Sequence, residues 1–331
     1  MRCAVIGAGA WGTALAQLLA NKGFEVCLWA FEPDVVDAIN TRHENPTFLP
    51  GVALPAALRA THNQADALRG ASLVVYATPS QHLRGIAAQG ARAVEPGAIL
   101  AVASKGIERT TLALMSDVIQ HEVPGHDVVA ISGPSFAMEV AAGQPTAVVA
   151  ASGSRAAARA VQEALSTQRF RVYTHDDIIG VELGGALKNV MAVATGMHDG
   201  VGLGNNSRAA LITRGLAEMT RLGVALGANP ATFAGLAGIG DLVLTCTGAL
   251  SRNRAVGVEI GKGATLEQAL AGRHTVAEGV ETTASTVALA GRLGVDMPIA
   301  AMVSRILFEG YTARAAVAEL MARELRAEQD R

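Results

Sequence analysis

Short apolar runs, continuous rather than alternating, recur through the first half of the chain at 3–6, 25–29, 73–77, 99–103, 128–132, 147–151 and 169–173. Between several of them apolar residues fall at helical spacing, over 13–21, 81–94 and 110–121. Strands with no polar face, separated by helices, are the pattern of a parallel sheet covered on both sides. The pattern predicts an α/β, Rossmann-type doubly wound sheet domain over 1–175. Beyond about Asp176 the strand-like runs stop. Helical spacing occupies 181–197, 207–226, 229–236, 265–271, 280–293 and 299–309, with Gly or Pro at the joints. The second half is therefore expected to be an all-helical domain, 176–331, and the Arg/Glu-rich tail after Met321 reads as a solvated helix end.

A chain of 331 residues has room for two domains, each with its own core. A formal net charge of −2 with 17% charged residues argues against a nucleic-acid binder and against a disordered acidic chain. A small anionic substrate would need a local basic cluster. The three cysteines, Cys3, Cys27 and Cys246, are odd in number and far apart. They exclude a disulfide framework and a CxxC metal pair, fit a reducing cytoplasm, and leave no metal site expected. The longest uncharged stretch, 222–240, is broken by glycines, Asn229 and Pro230, so no membrane span is expected. The apolar N-terminus lacks an A-x-A cleavage site after a long apolar core and is not read as a leader. Only four of the 27 basic residues are lysines. Arg stays protonated, whereas a desolvated Lys can take up and release a proton, so a Lys in an apolar segment is a candidate for chemistry.

Gly7-Ala8-Gly9-Ala10-Trp11-Gly12 is a G-x-G-x-x-G that follows the first predicted strand and opens a helix. Its glycines allow a tight turn, close approach of amides to a pyrophosphate, and helix–strand packing. Dinucleotide binding is expected, with Gly7, Gly9 and Gly12 at its centre. The second strand runs out into Phe31-Glu32. An acid there can accept from a ribose hydroxyl, which would favour NAD over NADP; the other reading of Glu32 is a cap on the helix begun at Pro33. Three loops after strands, 77–80, 104–106 and 132–135, are placed to line one crevice, so Lys105 and Ser135 either meet phosphate or substrate oxygens or stand in water. Lys188 sits in VELGGALKNVMAVAT, with Asn189 its one polar flank. It is either a general base with a pKa lowered by burial or a side chain that snorkels to water. Asp241, among glycines and aliphatics, either orients a lysine or substrate hydroxyl or caps the helix that follows. Ser251-Arg252-Asn253-Arg254 is either a phosphate cluster or a solvated basic turn.

Together these segments resemble the bacterial type of NAD(P)-dependent glycerol-3-phosphate dehydrogenase. The resemblance runs to about residue 315. It is carried by GAGAWG, LPG at 49–51, SKGIE at 104–108, SGPSFAMEV at 132–140, GVELGGALKNVMA at 180–192 and TRGLAEMTRLG at 213–223. GLAGIGDLVLTCT at 235–247, SRNR at 251–254, VAEGVET at 276–282 and MPI at 297–299 complete it. The resemblance implies reversible reduction of dihydroxyacetone phosphate to sn-glycerol 3-phosphate with NADH or NADPH, the backbone of glycerophospholipids. It makes Lys188 the proton acceptor or donor, with Asp241 and Asn189 orienting its amine. It puts Lys105, Gly133, Ser135, Asp241, Ser251, Arg252 and Asn253 on the substrate. Ala10, Trp11, Lys105, Ala137, Arg252, Val276 and Glu278 fall at cofactor-contacting positions. Phe31-Glu32 stands where the family often has basic residues, which speaks against a specific use of NADP. Apolar helices in the second half lead to the expectation of a homodimer. Two other classes share the N-terminal pattern. Other hydroxyacid dehydrogenases, of the 3-hydroxyacyl-CoA or 6-phosphogluconate kind, would lack the SRNR and GGALKN contexts. A non-catalytic dinucleotide sensor would have no need of Lys188 beside Asp241.

Overall fold

Every strand among the described residues lies in the first 175 positions: β1 (Arg2–Ile6), β2 (Glu25–Trp29), β3 (Arg59–Thr61), β4 (Leu73–Tyr76), β5 (Ile99–Val102), β6 (Val128–Ser132), β7 (Thr146–Ala151) and β8 (Phe170–His175). The computed structural model describes residues 1–272, 277–325 and 327–328. The strands form one sheet in the order β3-β2-β1-β4-β5-β6-β7-β8. Helices α1 (Ala10–Asn21), α2 (Pro33–Arg42), α3 (Gln64–Leu68), α4 (Leu83–Gly90), α5 (Met115–Glu122), α6 (Ala137–Ala141) and α7 (Arg155–Leu165) lie between them. In β1, Cys3 and Val5 join the apolar cluster that contains Leu15 and Leu19 of α1, while Ala4 and Ile6 join the one that contains Leu83 of α4 and Ile119 of α5. Successive side chains point to opposite faces, so a strand covered twice keeps no polar position. This is the doubly wound Rossmann-type architecture that the hydrophobic runs predict. The winding reverses at β1, which pairs with β2 on one side and β4 on the other, and ligands bind beyond the carboxyl ends of strands at such a switch point.

The sheet differs from the sequence reading in two places. β7 runs antiparallel to β6, and β8 is parallel to β7, so the sheet is not parallel throughout. Residues 133–145 join β6 to β7 with only the five-residue helix α6, which rises about 7.5 Å. That helix is too short to cover a crossover, and Ser132 at the end of β6 pairs with Val149 of β7, so the chain turns round at the carboxyl end of β6. β3 has only three residues, Arg-Ala-Thr, on the sheet edge, too short and polar to show a pattern. The helix predicted over 110–121 begins only at Met115, because Leu112 takes a left-handed conformation (φ 62°) and Ile107 bridges to Leu114.

The second half is helical throughout its described residues: α8 (Ile178–Val201), α9 (Asn205–Ala225), α10 (Asp241–Thr247), α11 (Arg252–Gly261), α12 (Leu266–Leu270), α13 (Glu278–Leu293), α14 (Pro298–Phe308) and α15 (Ala313–Met321). α8 is the axis of this half, buried at every residue from Gly180 to His198. A helix surrounded on all sides has no polar stripe. It is the one described helix long and apolar enough to cross a membrane, and 89% of that stretch is buried inside the protein. Three expectations are corrected here. The stretch 229–236 is two short non-α turns, Pro230–Ala234 and Leu236–Gly240. SRNR is not a loop turn but the cap and first turn of α11. α15 ends at Met321, so the Arg/Glu-rich tail is not helical over its described residues.

Candidate active site

The glycine loop lies at the carboxyl end of β1. Gly7 has φ +116°, and a Cβ there would lie 2.8 Å from the carbonyl oxygen of Ala77; a Cβ on Gly12 would lie 1.9 Å from that of Gly7. Neither position admits a side chain. Gly9 is different: nothing lies within 4 Å of its Cβ position, and it precedes α1 without any side chain capping the first amides. Open space in front of uncapped N–H groups, which carry the positive end of the helix dipole, suits a pyrophosphate. These residues fit a bound dinucleotide. Ala10 and Trp11 open α1, and the Trp11 ring lies 6.5 Å from that of Phe170. Phe31, at the end of β2, is 78% exposed. Glu32 occupies the N-cap of α2 but its side chain caps nothing, so the capping reading fails and the carboxylate is left for other use. Ala137 starts α6. Val276 lies outside the described residues.

Glu278 opens α13 and crosses to the sheet domain, where its carboxylate accepts from the Ser80 amide (3.1 Å) and hydroxyl (2.6 Å). Ser80 follows β4. Burial raises the Glu278 carboxyl above its usual range, and the Ser80 bonds oppose that shift. Arg252 is exposed and makes no hydrogen bond with the described residues, yet lies close enough to Glu278 to feel its charge. Sequence reasoning put Ser80 in a crevice-lining loop but missed its bond to Glu278, because nothing local marks a serine as the partner of an acid 198 positions away.

The centre of the site is a buried three-way ion pair. Lys188 Nζ donates to Asp241 Oδ1 (2.8 Å) and to Thr245 Oγ1 (2.9 Å). Lys105 Nζ donates to Asp241 Oδ2 (2.8 Å) and to the Gly133 carbonyl (3.2 Å). The Thr245 hydroxyl donates to the Asp241 carbonyl (2.6 Å), one helical turn back, which leaves its oxygen to accept from Lys188. Each ammonium has three N–H groups, so each keeps one without an acceptor among the described residues. Lys188 is only 7% exposed and Asp241 1%; Lys188 does not snorkel. Burial pushes the Lys188 amine down to about 8, and Lys105 adds to the shift while Asp241 opposes it. Burial works against the charge on Asp241, but the two ammonium groups hold its carboxyl below the usual carboxylate range.

Two adjacent glycines let these residues meet. A Cβ on Gly184 would lie 2.2 Å from the Ala237 carbonyl, and one on Gly185 would strike the Ser132 hydroxyl at 2.5 Å, with the Lys105 stem 3.5 Å away. α8 can therefore approach the 236–240 turn on one side and the β6 end with Lys105 on the other. Asp241 is the first residue of α10 and caps no helix, since Gly240 holds the N-cap.

The remaining residues fall as follows. Asn189 does not orient the Lys188 amine: its side chain accepts from Asn253 (2.9 Å) and donates to the Gly185 carbonyl (3.4 Å). Consecutive helical residues diverge by about 100°, so neighbours on α8 face different groups. Thr245, at i+4 from Asp241, has that orienting place; the spacing was readable, but a threonine in an apolar helix carries no signal of its own. Asn253 also accepts from the Gly279 amide (2.9 Å). Ser251 is buried and spends its oxygen capping α11 through the Arg254 amide (3.2 Å). Ser135 donates to the Gly133 carbonyl (2.9 Å). Lys105 is not a loop residue in water, since only 16% of its side chain is exposed. Among the described residues no His/Cys/Asp/Glu cluster could hold a metal ion.

A glycine-loop sheet domain facing an apolar helical domain, with a paired lysine between them, defines a dinucleotide-dependent oxidoreductase. Comparison with known proteins narrows the class. Residues 2–158 match the family model "NAD-dependent glycerol-3-phosphate dehydrogenase N-terminus", and residues 177–318 match the corresponding C-terminus. A glycerol-3-phosphate dehydrogenase [NAD(P)+] from Citrifermentans bemidjiense is 56% identical over 330 residues, 99% of this chain and 98% of that protein. The one from Streptomyces griseus is 48% identical over equal shares. The crystal structure of the Coxiella burnetii glycerol-3-phosphate dehydrogenase superposes with TM-score 0.94 at 41% identity, covering 97% of this chain and 99% of that one. The Saccharomyces cerevisiae glycerol-3-phosphate dehydrogenase gives 0.83 at 28% identity, covering 98% and 99%. The chain belongs to the NAD(P)-dependent glycerol-3-phosphate dehydrogenase family.

Proposed function

We propose that Lys188 is the proton donor and acceptor of this NAD(P)-dependent oxidoreductase, which reversibly reduces dihydroxyacetone phosphate to sn-glycerol 3-phosphate and so supplies the glycerophospholipid backbone. The observation that carries the assignment is a nearly dry amine, bonded to Asp241 and Thr245, with a lowered pKa and one N–H without an acceptor among the described residues. In the reducing direction the ammonium donates to the ketone oxygen and gives up its proton as negative charge develops there. In the oxidising direction the neutral amine removes the hydroxyl proton. Asp241 and Thr245 hold the amine in place. Lys105, the other ligand of Asp241, presents its free N–H as a second donor to the substrate, with Gly133 and Ser135 shaping the same wall. Asn189 braces Asn253 rather than the amine. Arg252 and Asn253 clamp the phosphate at the capped start of α11, behind Ser251, so binding energy remote from the reacting carbon fixes its position.

Gly7, Gly9, Ala10, Trp11 and Gly12 hold the pyrophosphate end of the dinucleotide; Phe31 and Glu32 hold its adenosine; Lys105, Ala137, Arg252 and Glu278 close over the remainder. When bound, the dinucleotide supplies or accepts the hydride. Residues 1–175 form the cofactor domain and 176–331 the substrate domain. A homodimer is supported by large apolar side chains left exposed on the helical half, Val224, Val243, Leu250 and Phe308. A cytoplasmic location is supported by three free cysteines. The test is purified protein with dihydroxyacetone phosphate and NADH or NADPH, followed by nicotinamide absorbance. Lys188→Ala should lower kcat at least about 1,000-fold while NADH binding, read by fluorescence, survives; retained turnover refutes the assignment.

A further inference from the structure

The side chains of Arg252 and Arg254 leave the first turn of α11 about 200° apart. Arg252 lies beside Glu278 and makes no hydrogen bond with the described residues. Arg254 reaches the other way, to the last turn of α8, where its Nε and Nη2 both donate to Asp199 Oδ2 (2.9 and 2.6 Å). The other carboxylate oxygen faces Arg208 (3.5 Å) and His198 Nδ1 (3.2 Å). A carboxylate in the last turn of a helix opposes the helix dipole, so the helix itself gains nothing from Asp199. Burial also works against its charge, yet Arg254 and His198 hold its carboxyl below the usual range. Below this pair the helices touch backbone to backbone: a Cβ on Gly196 would lie 2.1 Å from the Arg254 carbonyl, and one on Gly257 2.2 Å from that of Val193. That contact fixes the spacing of the two axes. Two side-chain contacts between α8 and the first turn of α11 bear on its rotation, Asn253 to Asn189 and Arg254 to Asp199, and only the second involves a full charge pair.

We propose that Asp199, through its grip on Arg254, is a positioning residue for the substrate phosphate, setting the rotation of the α11 first turn and hence the reach of Arg252 and Asn253. The proposal rests on the phosphate clamp assigned above. Asp199 touches neither substrate nor cofactor, since its carboxylate is committed to the far side of the turn.

The experiment compares dihydroxyacetone phosphate with phosphate-free dihydroxyacetone as substrates of the full-length enzyme. Asp199→Asn keeps the shape and removes the charge. Its kcat/KM for the phosphorylated ketone should fall about tenfold, because a displacement of an ångström or less at the phosphate is felt at the reacting centre. Its value for dihydroxyacetone should stay within about twofold. Equal losses with both ketones, or no loss with either, overturn the proposal. Arg254→Lys, which keeps the charge but not the two-point grip, should move the same ratio in the same direction, and it decides the matter if Asp199→Asn does not fold. Arg252→Ala separates the two readings. If it leaves the ratio unchanged, the clamp assignment itself fails. If it lowers the ratio while Asp199→Asn does not, only the positioning role fails.

Discussion

Replacing Asp241 by Asn should move the pH dependence of turnover downward in both directions. Among the described residues Asp241 is the only anion bonded to Lys188, and it is also the counterion of Lys105. At an effective dielectric constant of about 20, a unit charge 2.8 Å away interacts with the amine by roughly 6 kcal/mol. Relaxation and water entry reduce this, but even a third of it, about 2 kcal/mol, exceeds one pKa unit. Lys105, no longer neutralised, repels the Lys188 ammonium in the same sense. The wild-type amine titrates at about 8, so ketone reduction, which uses the ammonium, should decline as pH rises through about 8. Alcohol oxidation, which uses the free amine, should rise through the same value. In Asp241→Asn both midpoints should lie more than one unit lower. At pH 8 only a few per cent of the amine would then be protonated, against about half in the wild type. The assay is kcat/KM against pH in each direction, with thermal melts to show that the variant folds. The level of activity will also fall through lost geometry, so the midpoint is the readout. A midpoint that stays at about 8 or rises refutes the ion-pair account of this lysine.

Three further outcomes are expected. Gly12→Ala should cost at least 2–3 kcal/mol, about the cost of overpacking a tight site, because its Cβ has 1.9 Å of room; Gly9→Ala should leave the melting temperature nearly unchanged and abolish the stabilisation that added NADH provides. With Glu32 uncapped and no arginine adjacent, the reduction rate should be higher with NADH than with NADPH at equal subsaturating concentration, and a marked NADPH preference would remove Glu32 from the ribose site. Glu182 is buried, accepts from the Ser116 amide and hydroxyl, and is pushed up by burial to about 7 from 4.5. A folded-state pKa above the unfolded one stabilises at low pH, and that contribution is lost as pH rises from about 4.5 to about 7. Glu182→Gln should flatten this part of the urea-midpoint profile; an unchanged slope would mean the carboxyl titrates elsewhere.

Some of the site was legible because its signal is local. Gly7, Gly9 and Gly12 follow a strand and precede a helix within one short segment, and a lone lysine in an apolar helix stands out without any partner in view. Asp241 was visible for the same reason, but its bond to Lys105 was not, since 136 positions separate them. Asn189 was misassigned as a second support for the amine; sequence adjacency suggested it, and helical rotation sends the two side chains apart. The polar residues of SRNR fit a phosphate cluster or a solvated turn equally; in the fold Ser251 is a helix cap, Asn253 and Arg254 are each bonded to α8, and Arg252 makes no hydrogen bond with the described residues.

The periodicity of apolar residues was enough to determine the two halves and the identity of nearly every element, because burial on two faces and burial all round leave different residue patterns. Strand direction was decided only in three dimensions: the link after β6 is long enough to cross back or to turn round, and the pairing of β7 with β6 decides which. Pairing across the cleft was decided there too. An ion pair or a capping acid requires one favourable partner in space, and the chain carries no periodic trace of which distant residue that will be.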